Sequence, residues 1–279
     1  MRIAQNLVVL TWNLHGLPFA RRWKERVKRF AERVKRLGVP VDLLLCSEVW
    51  LGPHEHVLRE ALSPSFVSLN FPDLRRPAGG LVAYLHRNSA WRLAHQRFQP
   101  FRHAAPWWRL WEGDFIGGKG IRTLVLEHDN HRVAILHTHM QAQYGPRTYA
   151  RVRGHQWSQL TQRAFSALAS ASFVCAAGDL NTMPTEDVFA AYARYWLDLS
   201  ADIRQTGPRS TTVHHSEEWI DHVLALAPTA CQLRSYTTEL IDARDKEALI
   251  SDHHGILARF ELAPSASPPR WPGPVDKLP

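Results

Sequence analysis

A chain of 279 residues, 45% of them hydrophobic, can bury a large core and sits at the upper end of single-domain size, so one large domain is expected. Its three cysteines, Cys46, Cys175 and Cys231, are too few and scattered for a disulfide framework or a zinc finger, and no apolar run approaches bilayer-spanning length. The net charge of +8 points to a polyanionic partner, yet residues 19–37 carry +7 of it, so the chain has one basic helix rather than a basic body.

Taken in order, residues 8–13 read as a buried strand ending on Asn13, too short for a signal-peptide core. A soluble, cytoplasmic monomer is expected. Pro18 is placed in the first turn of an amphipathic helix whose buried apolar stripe runs through Phe19, Trp23, Val27, Phe30, Val34 and Leu37 and stops at Gly38 and Pro40. Its other face, Arg and Lys, is either solvated or drawn to an anionic membrane. Residues 41–50 read as a strand ending on Ser47 and Glu48, 55–62 as a short helix, and 79–85 with 91–98 as a hairpin-like strand pair. The pattern breaks over 100–120, which hold Trp107, Trp108 and Trp111 and close on Gly118-Lys119-Gly120. Tryptophans so close together either pack under a loop or sit at a membrane interface.

Strands resume at 121–127 and 132–139, the second ending on His139, followed by a helix over 148–168. Next come a strand and loop over 173–181 ending Gly178-Asp179-Leu180-Asn181, a helix over 185–196, a polar loop, and strands at 219–226, 232–238 and 255–262. Beyond residue 262 the composition turns to Pro, Ser and Ala, read as a mobile tail over 263–279 after a domain of 1–262. Strands mixed with helices and hairpin-like pairs argue for mixed sheets covered by helices.

Apolar strands that end in Asn13, Glu48, His139 and Asp179 with Asn181, together with Ser251-Asp252-His253, suggest one polar rim. Glu48, Asn13, Asp179 and Asn181 are the sparse oxygen set that magnesium takes. His253 and His139 can move protons or hold phosphate oxygens, and Asp221 can fix a histidine's tautomer. Phosphate-ester hydrolysis is the reaction that most needs such a set. Each residue also has a plainer reading: Asn13 and Asn181 as turn formers and Lys119 as a solvated loop lysine.

In Trp12-Asn13, Ser47-Glu48-Val49, Thr138-His139, Gly178-Asp179-Leu180-Asn181, Ile220-Asp221-His222-Val223 and Ser251-Asp252-His253 the chain resembles the endonuclease/exonuclease/phosphatase superfamily. Asn13-Leu14-His15-Gly16-Leu17-Pro18 before the basic helix, Glu48-Val49-Trp50, Gly118-Lys119-Gly120 and Thr138-His139-Met140-Gln141 make it similar to the neutral sphingomyelinase branch. The resemblance implies an α+β fold, a four-layer α/β/β/α sandwich of two mixed sheets flanked by helices. It implies Glu48 as principal magnesium ligand (manganese or another divalent cation as the alternative), with Asn13 and Asp252 in the metal set, and Asp179 and Asn181 orienting water and phosphate. His253 is then the general base steadied by Asp221, His139 the transition-state stabiliser, and Lys119 a substrate contact. His222 replaces the aromatic residue usual after the orienting aspartate, which is expected to alter packing beside His253.

The leading expectation is therefore a metal-dependent phosphodiesterase acting on a phospholipid headgroup, with peripheral contact to anionic membrane. A nuclease or other phosphoesterase on the same scaffold is the rival, since a fold does not fix a substrate. A non-catalytic basic membrane-binding module is the third reading, disfavoured by the full acidic, amide and histidine set.

Overall fold

A computed structural model describes residues 4–71, 77–106, 117–144 and 149–263. The tryptophan loop (Trp107, Trp108, Trp111) and nearly all of the proline-rich tail lie outside the described residues.

The first sheet begins with a strand, an amphipathic helix and a parallel strand: β1 (Gln5–Gly16), α1 (Trp23–Lys35) and β2 (Leu43–Val49). A parallel pair needs a crossover, and the helix supplies it while covering one face. The chain continues through α2 (Gly52–Leu62), β3 (Phe66–Ser68) and β4 (Val82–His86). The second sheet opens with β5 (Arg92–Pro100) and β6 (Gly120–His128). It repeats the parallel unit with β7 (His131–His139), α3 (Ala150–Ala167) and β8 (Phe173–Asp179). Then follow α4 (Asp187–Tyr192), β9 (Trp196–Asp198), α5 (Ala201–Thr206) and β10 (Asp221–Leu226). The chain returns to the first sheet with β11 (Leu233–Ile241), a small hairpin of β12 (Arg244–Asp245) and β13 (Ala248–Leu249), and β14 (Gly255–Leu262). The sheets have six strands each, in the orders β11-β14-β1-β2-β4-β3 and β5-β6-β7-β8-β10-β9.

Strand parity builds the layers. Leu7, Val9, Leu43, Leu45, Val133, Ile135, Phe173, Cys175 and Val223 pack between the sheets. Their neighbours Leu10, Leu44 and Cys46 face α1 and α2, while Ala134, Leu136, Val174 and Leu224 face α3. The result is the expected four-layer α/β/β/α sandwich. Trp23, Val27, Phe30 and Val34 of α1 are buried, each worth about 1.5–3 kcal/mol for a side chain of that kind.

Some boundaries differ from the sequence reading. The first helix starts at Trp23, not near Pro18, because residues 17–20 form a turn and Trp23 anchors the start by donating from Nε1 to the His54 carbonyl at 3.1 Å. The run 79–85 does not pair with 91–98: β4 belongs to the first sheet and β5 to the second, so the chain crosses between them. The expected helix over 185–196 breaks at Tyr192 into a 3-10 turn and the edge strand β9, and the polar loop after it contains α5.

Candidate active site

Odd-numbered residues of β1, β2, β7, β8 and β10 face the opposite sheet, so the ends of these strands deliver side chains to the rim where the two sheets meet. On the second sheet His139, Asp179 and Asp221 stand side by side in register on β7, β8 and β10. Only glycine fits just before Asp179: a Cβ on Gly178 would lie 2.0 Å from the Thr138 carbonyl oxygen. On the first sheet Asn13 ends the same parity on β1 and is 1% exposed. Glu48 is out of parity, and its left-handed backbone (φ 59°) brings its carboxylate to the rim. Such a backbone on a non-glycine residue stores strain of the kind found at functional sites.

Asn13 joins the two sheets. Its Nδ2 donates to Glu48 Oε1 and to Asp179 Oδ2, both at 3.0 Å, while Oδ1 accepts from the His15 N–H at 2.9 Å and so fixes the amide's orientation. The amide thus presents donors, not its oxygen, to the carboxylates. Asn181 accommodates a left-handed turn (φ 48°), donates its own N–H to Asp179 Oδ1 at 2.9 Å, and donates from Nδ2 to the Met140 carbonyl at 3.1 Å. Both asparagines are turn formers and rim residues at once.

His253 Nδ1 lies 2.8 Å from Asp221 Oδ2, which orients the ring, and Trp12 Nε1 donates to the His253 carbonyl at 2.7 Å, which fixes its backbone. Burial pushes the imidazole toward neutrality, but Asp221, with Asp179 and Asp252, outweighs it and holds His253 well above the ordinary histidine range. His139 goes the other way: burial, then Lys119, drives it well below that range. Lys119 is buried, donating to the Met140 carbonyl at 2.8 Å and standing 2.9 Å from His139 Nε2. The solvated-lysine reading therefore fails. Since an ammonium only donates, Nε2 is the acceptor and Nδ1 carries the His139 proton, buried with no hydrogen-bond partner.

Sequence reading missed two contributors. His15 Nδ1 pairs with Asp252 Oδ2 at 2.7 Å and lies 3.9 Å from Glu48 Oε2. The hydrogen bond to Asp252 raises the His15 pKa and outweighs burial, which lowers it. Arg26, one of the basic residues of α1, points inward and donates to the carbonyls of Leu14, His15 and Ile250, clamping both loops that carry rim residues. Replacing it by Met keeps the stem and leaves those carbonyls unpaired. Arg26→Met is expected to lower stability by about 1–3 kcal/mol in urea unfolding, with kcat falling more than KM changes; an unaltered kcat would separate the clamp from the site. His222, expected to disturb packing beside His253, faces the opposite layer, with Nε2 2.9 Å from the Thr182 carbonyl and its ring against Phe189.

A divalent cation fits this donor set. Glu48, His139 and Asp179 each bring a ligand atom within 4.8 Å of the others. Burial, and then Asp221 beside it, pushes the Asp179 carboxyl up to about 7, so the cluster is short of positive charge.

A two-sheet sandwich with a carboxylate and histidine rim defines the class of molecule. The chain belongs to the Endonuclease/Exonuclease/phosphatase family, which it matches over residues 10–253. It is 25% identical over 259 residues to the inositol phosphosphingolipids phospholipase C of Schizosaccharomyces pombe, covering 89% of this chain and 58% of that protein. It is 24% identical over 304 residues to human sphingomyelin phosphodiesterase 2, covering 98% of this chain and 69% of that protein. Among solved structures it resembles sphingomyelinase C from Streptomyces griseocarneus (TM-score 0.64, 18% identity, 91% of this chain and 99% of that one). It also resembles D. rerio TDP2 complexed with single strand DNA product (TM-score 0.68, 14% identity, 92% and 99%). The chain thus spans little more than half of the yeast relative's length, and the fold is shared with both a sphingomyelinase and a DNA-bound protein.

Proposed function

We propose that the chain is a divalent-metal-dependent phosphodiesterase that cleaves the headgroup phosphodiester of a sphingolipid-type phospholipid. The observation that carries this reading is the joint rim: the His253–Asp221 pair from β14's approach and β10 meets the Glu48, Asn13 and Asp179 cluster drawn from both sheets. The two curated relatives supply the substrate class.

His253 takes the proton from the attacking water while Asp221 holds Nδ1 and stabilises the imidazolium that forms. Glu48 would be the principal ligand of a cation, with Asp179 beside it and Asp252 held close by His15; Asn13 keeps Glu48 and Asp179 together. Magnesium bound there, or manganese in its place, would supply charge neutralisation on the nonbridging oxygens. Asp179 and Asn181 orient water and phosphate. His139, with Nε2 3.5 Å from Asp179 Oδ2 and 4.0 Å from Glu48 Oε1, is the histidine placed at the rim to stabilise the transition state. The water oxygen bonds to phosphorus as the bond between phosphorus and the lipid oxygen breaks, and the departing oxygen takes a proton from solvent, so that the lipid alcohol and a phosphorylated headgroup are released.

Among the described residues no helix is long and apolar enough to cross a membrane. A cytoplasmic monomer that meets membranes at their surface is the arrangement this reading carries. A panel of sphingomyelin vesicles, inositol-phosphate sphingolipid vesicles and single-stranded DNA, each with and without magnesium, tests it. Magnesium-dependent release of a phosphorylated headgroup from one of the lipids is expected; turnover of DNA alone would transfer the same chemistry to a nuclease.

A further inference from the structure

Five large apolar side chains are exposed among the described residues, and three of them gather at one place. Leu17, Phe19 and Leu249 surround a cavity of about 390 Å³ that also holds Arg21, His15 and Asp252. Phe19 is 96% exposed. Scattered apolar residues on a surface need no explanation, whereas a cluster around a cavity that adjoins a catalytic rim does. The other two, Val67 and Leu197, lie apart on the edge strands β3 and β9.

The charges on the α1 side of this cluster are mostly positive, while Asp252 within the cavity is paired with His15. Arg21, Arg22, Lys24 and Lys28 are exposed, against Glu25 as the one acid in residues 17–28. Arg26 also lines the cavity, but its donors are committed to the carbonyls of Leu14, His15 and Ile250, so it is not counted among the cations free to meet phosphate. An apolar tip ringed by cations matches the layering of an anionic leaflet, with acyl chains below and phosphates above. A soluble polyanion would satisfy the cations and leave Phe19 in water.

We propose that the Leu17–Phe19 turn, with Leu249 and the exposed basic residues at the start of α1, is the edge on which the protein docks to an anionic lipid bilayer. The inference rests on the lipid substrate proposed above and adds the route to it. His15 and Asp252 line the same cavity, and His15 lies 3.9 Å from Glu48, so a lipid lifted past Phe19 arrives with its phosphodiester at the metal cluster.

The test is binding in EDTA, which removes turnover from the readout. In a Cys231→Ser background, where Cys46 and Cys175 are buried, Phe19→Cys labelled with a polarity-sensitive nitrobenzoxadiazole probe is mixed with phosphatidylcholine vesicles with and without phosphatidylserine. The emission is expected to shift to the blue and brighten only with phosphatidylserine, and added salt should weaken the binding as it screens the basic face. Unlabelled Phe19→Asp should bind about tenfold more weakly in co-sedimentation, a loss of about 1.4 kcal/mol. An unshifted probe overturns the proposal even if salt-sensitive binding persists, since that outcome describes a polyanion contact; so does Phe19→Asp binding like the parent. Docking without hydrolysis of any lipid would sink the substrate reading and leave the docking edge standing, whereas lipid hydrolysis with an unshifted probe would do the reverse.

Discussion

Glu48→Gln is expected to abolish metal-dependent turnover, lowering it by about 10²–10³-fold or more, with the fold retained. Charge stabilisation by a catalytic cation is worth several kcal/mol, and each 1.36 kcal/mol is a decade in rate. The substitution keeps the shape and an oxygen that can still accept from Asn13 Nδ2, so the link from Asn13 to Asp179 is undisturbed. What is lost is the charge on the strained residue at the end of β2. Magnesium should also raise the melting temperature of the parent, because a ligand that binds only the folded state stabilises it by mass action, and should leave the variant's unchanged. Full turnover in the variant, or an equal magnesium-induced shift, would remove Glu48 from the metal site.

The residues that were legible in the sequence are those whose position follows from strand parity. Asn13, His139 and Asp179 follow apolar runs near the ends of their strands and Asp221 opens the antiparallel β10, so a packed sheet presents all four at one rim. Glu48 was readable as a charge after a buried strand, but not its route: by parity it belongs with Leu44 and Cys46 on the helix-facing side, and only a left-handed backbone turns it to the rim. The pairing of His15 with Asp252 joins opposite ends of the chain, and no local pattern announces it. Arg26 was hidden in a run of basic residues that reads as solvated, since three backbone carbonyls leave no signature in side-chain chemistry. The misread hairpin has a related cause: the gap between 79–85 and 91–98 suits a turn, yet pairing is decided by which sheet has an open edge. β4 is held by β2 and β3, and β5 by β6.

His253→Ala is expected to slow turnover by at least about 10²-fold, the scale of general acid-base catalysis. Loss of rate alone does not identify a base, so the sharper measurement is the pH profile of kcat/KM. Only neutral His253 can accept a proton from water. Burial favours that neutral form, but Asp221 at 2.8 Å, joined by Asp179 and Asp252, overrides burial and keeps the ring protonated well above the ordinary histidine range. Activity should therefore fall as pH drops through this raised value. In Asp221→Asn the nearest of those charges is gone and burial acts against less opposition, so the acid limb must move to lower pH. The plateau should drop as well, because an amide no longer stabilises the imidazolium that forms when the water is deprotonated. A histidine that served only as packing would give neither shift. Near-normal turnover in His253→Ala, or an acid limb that stays in place in Asp221→Asn, would show that the proton goes elsewhere; a limb displaced downward with a lowered plateau ties it to the imidazole that Asp221 holds.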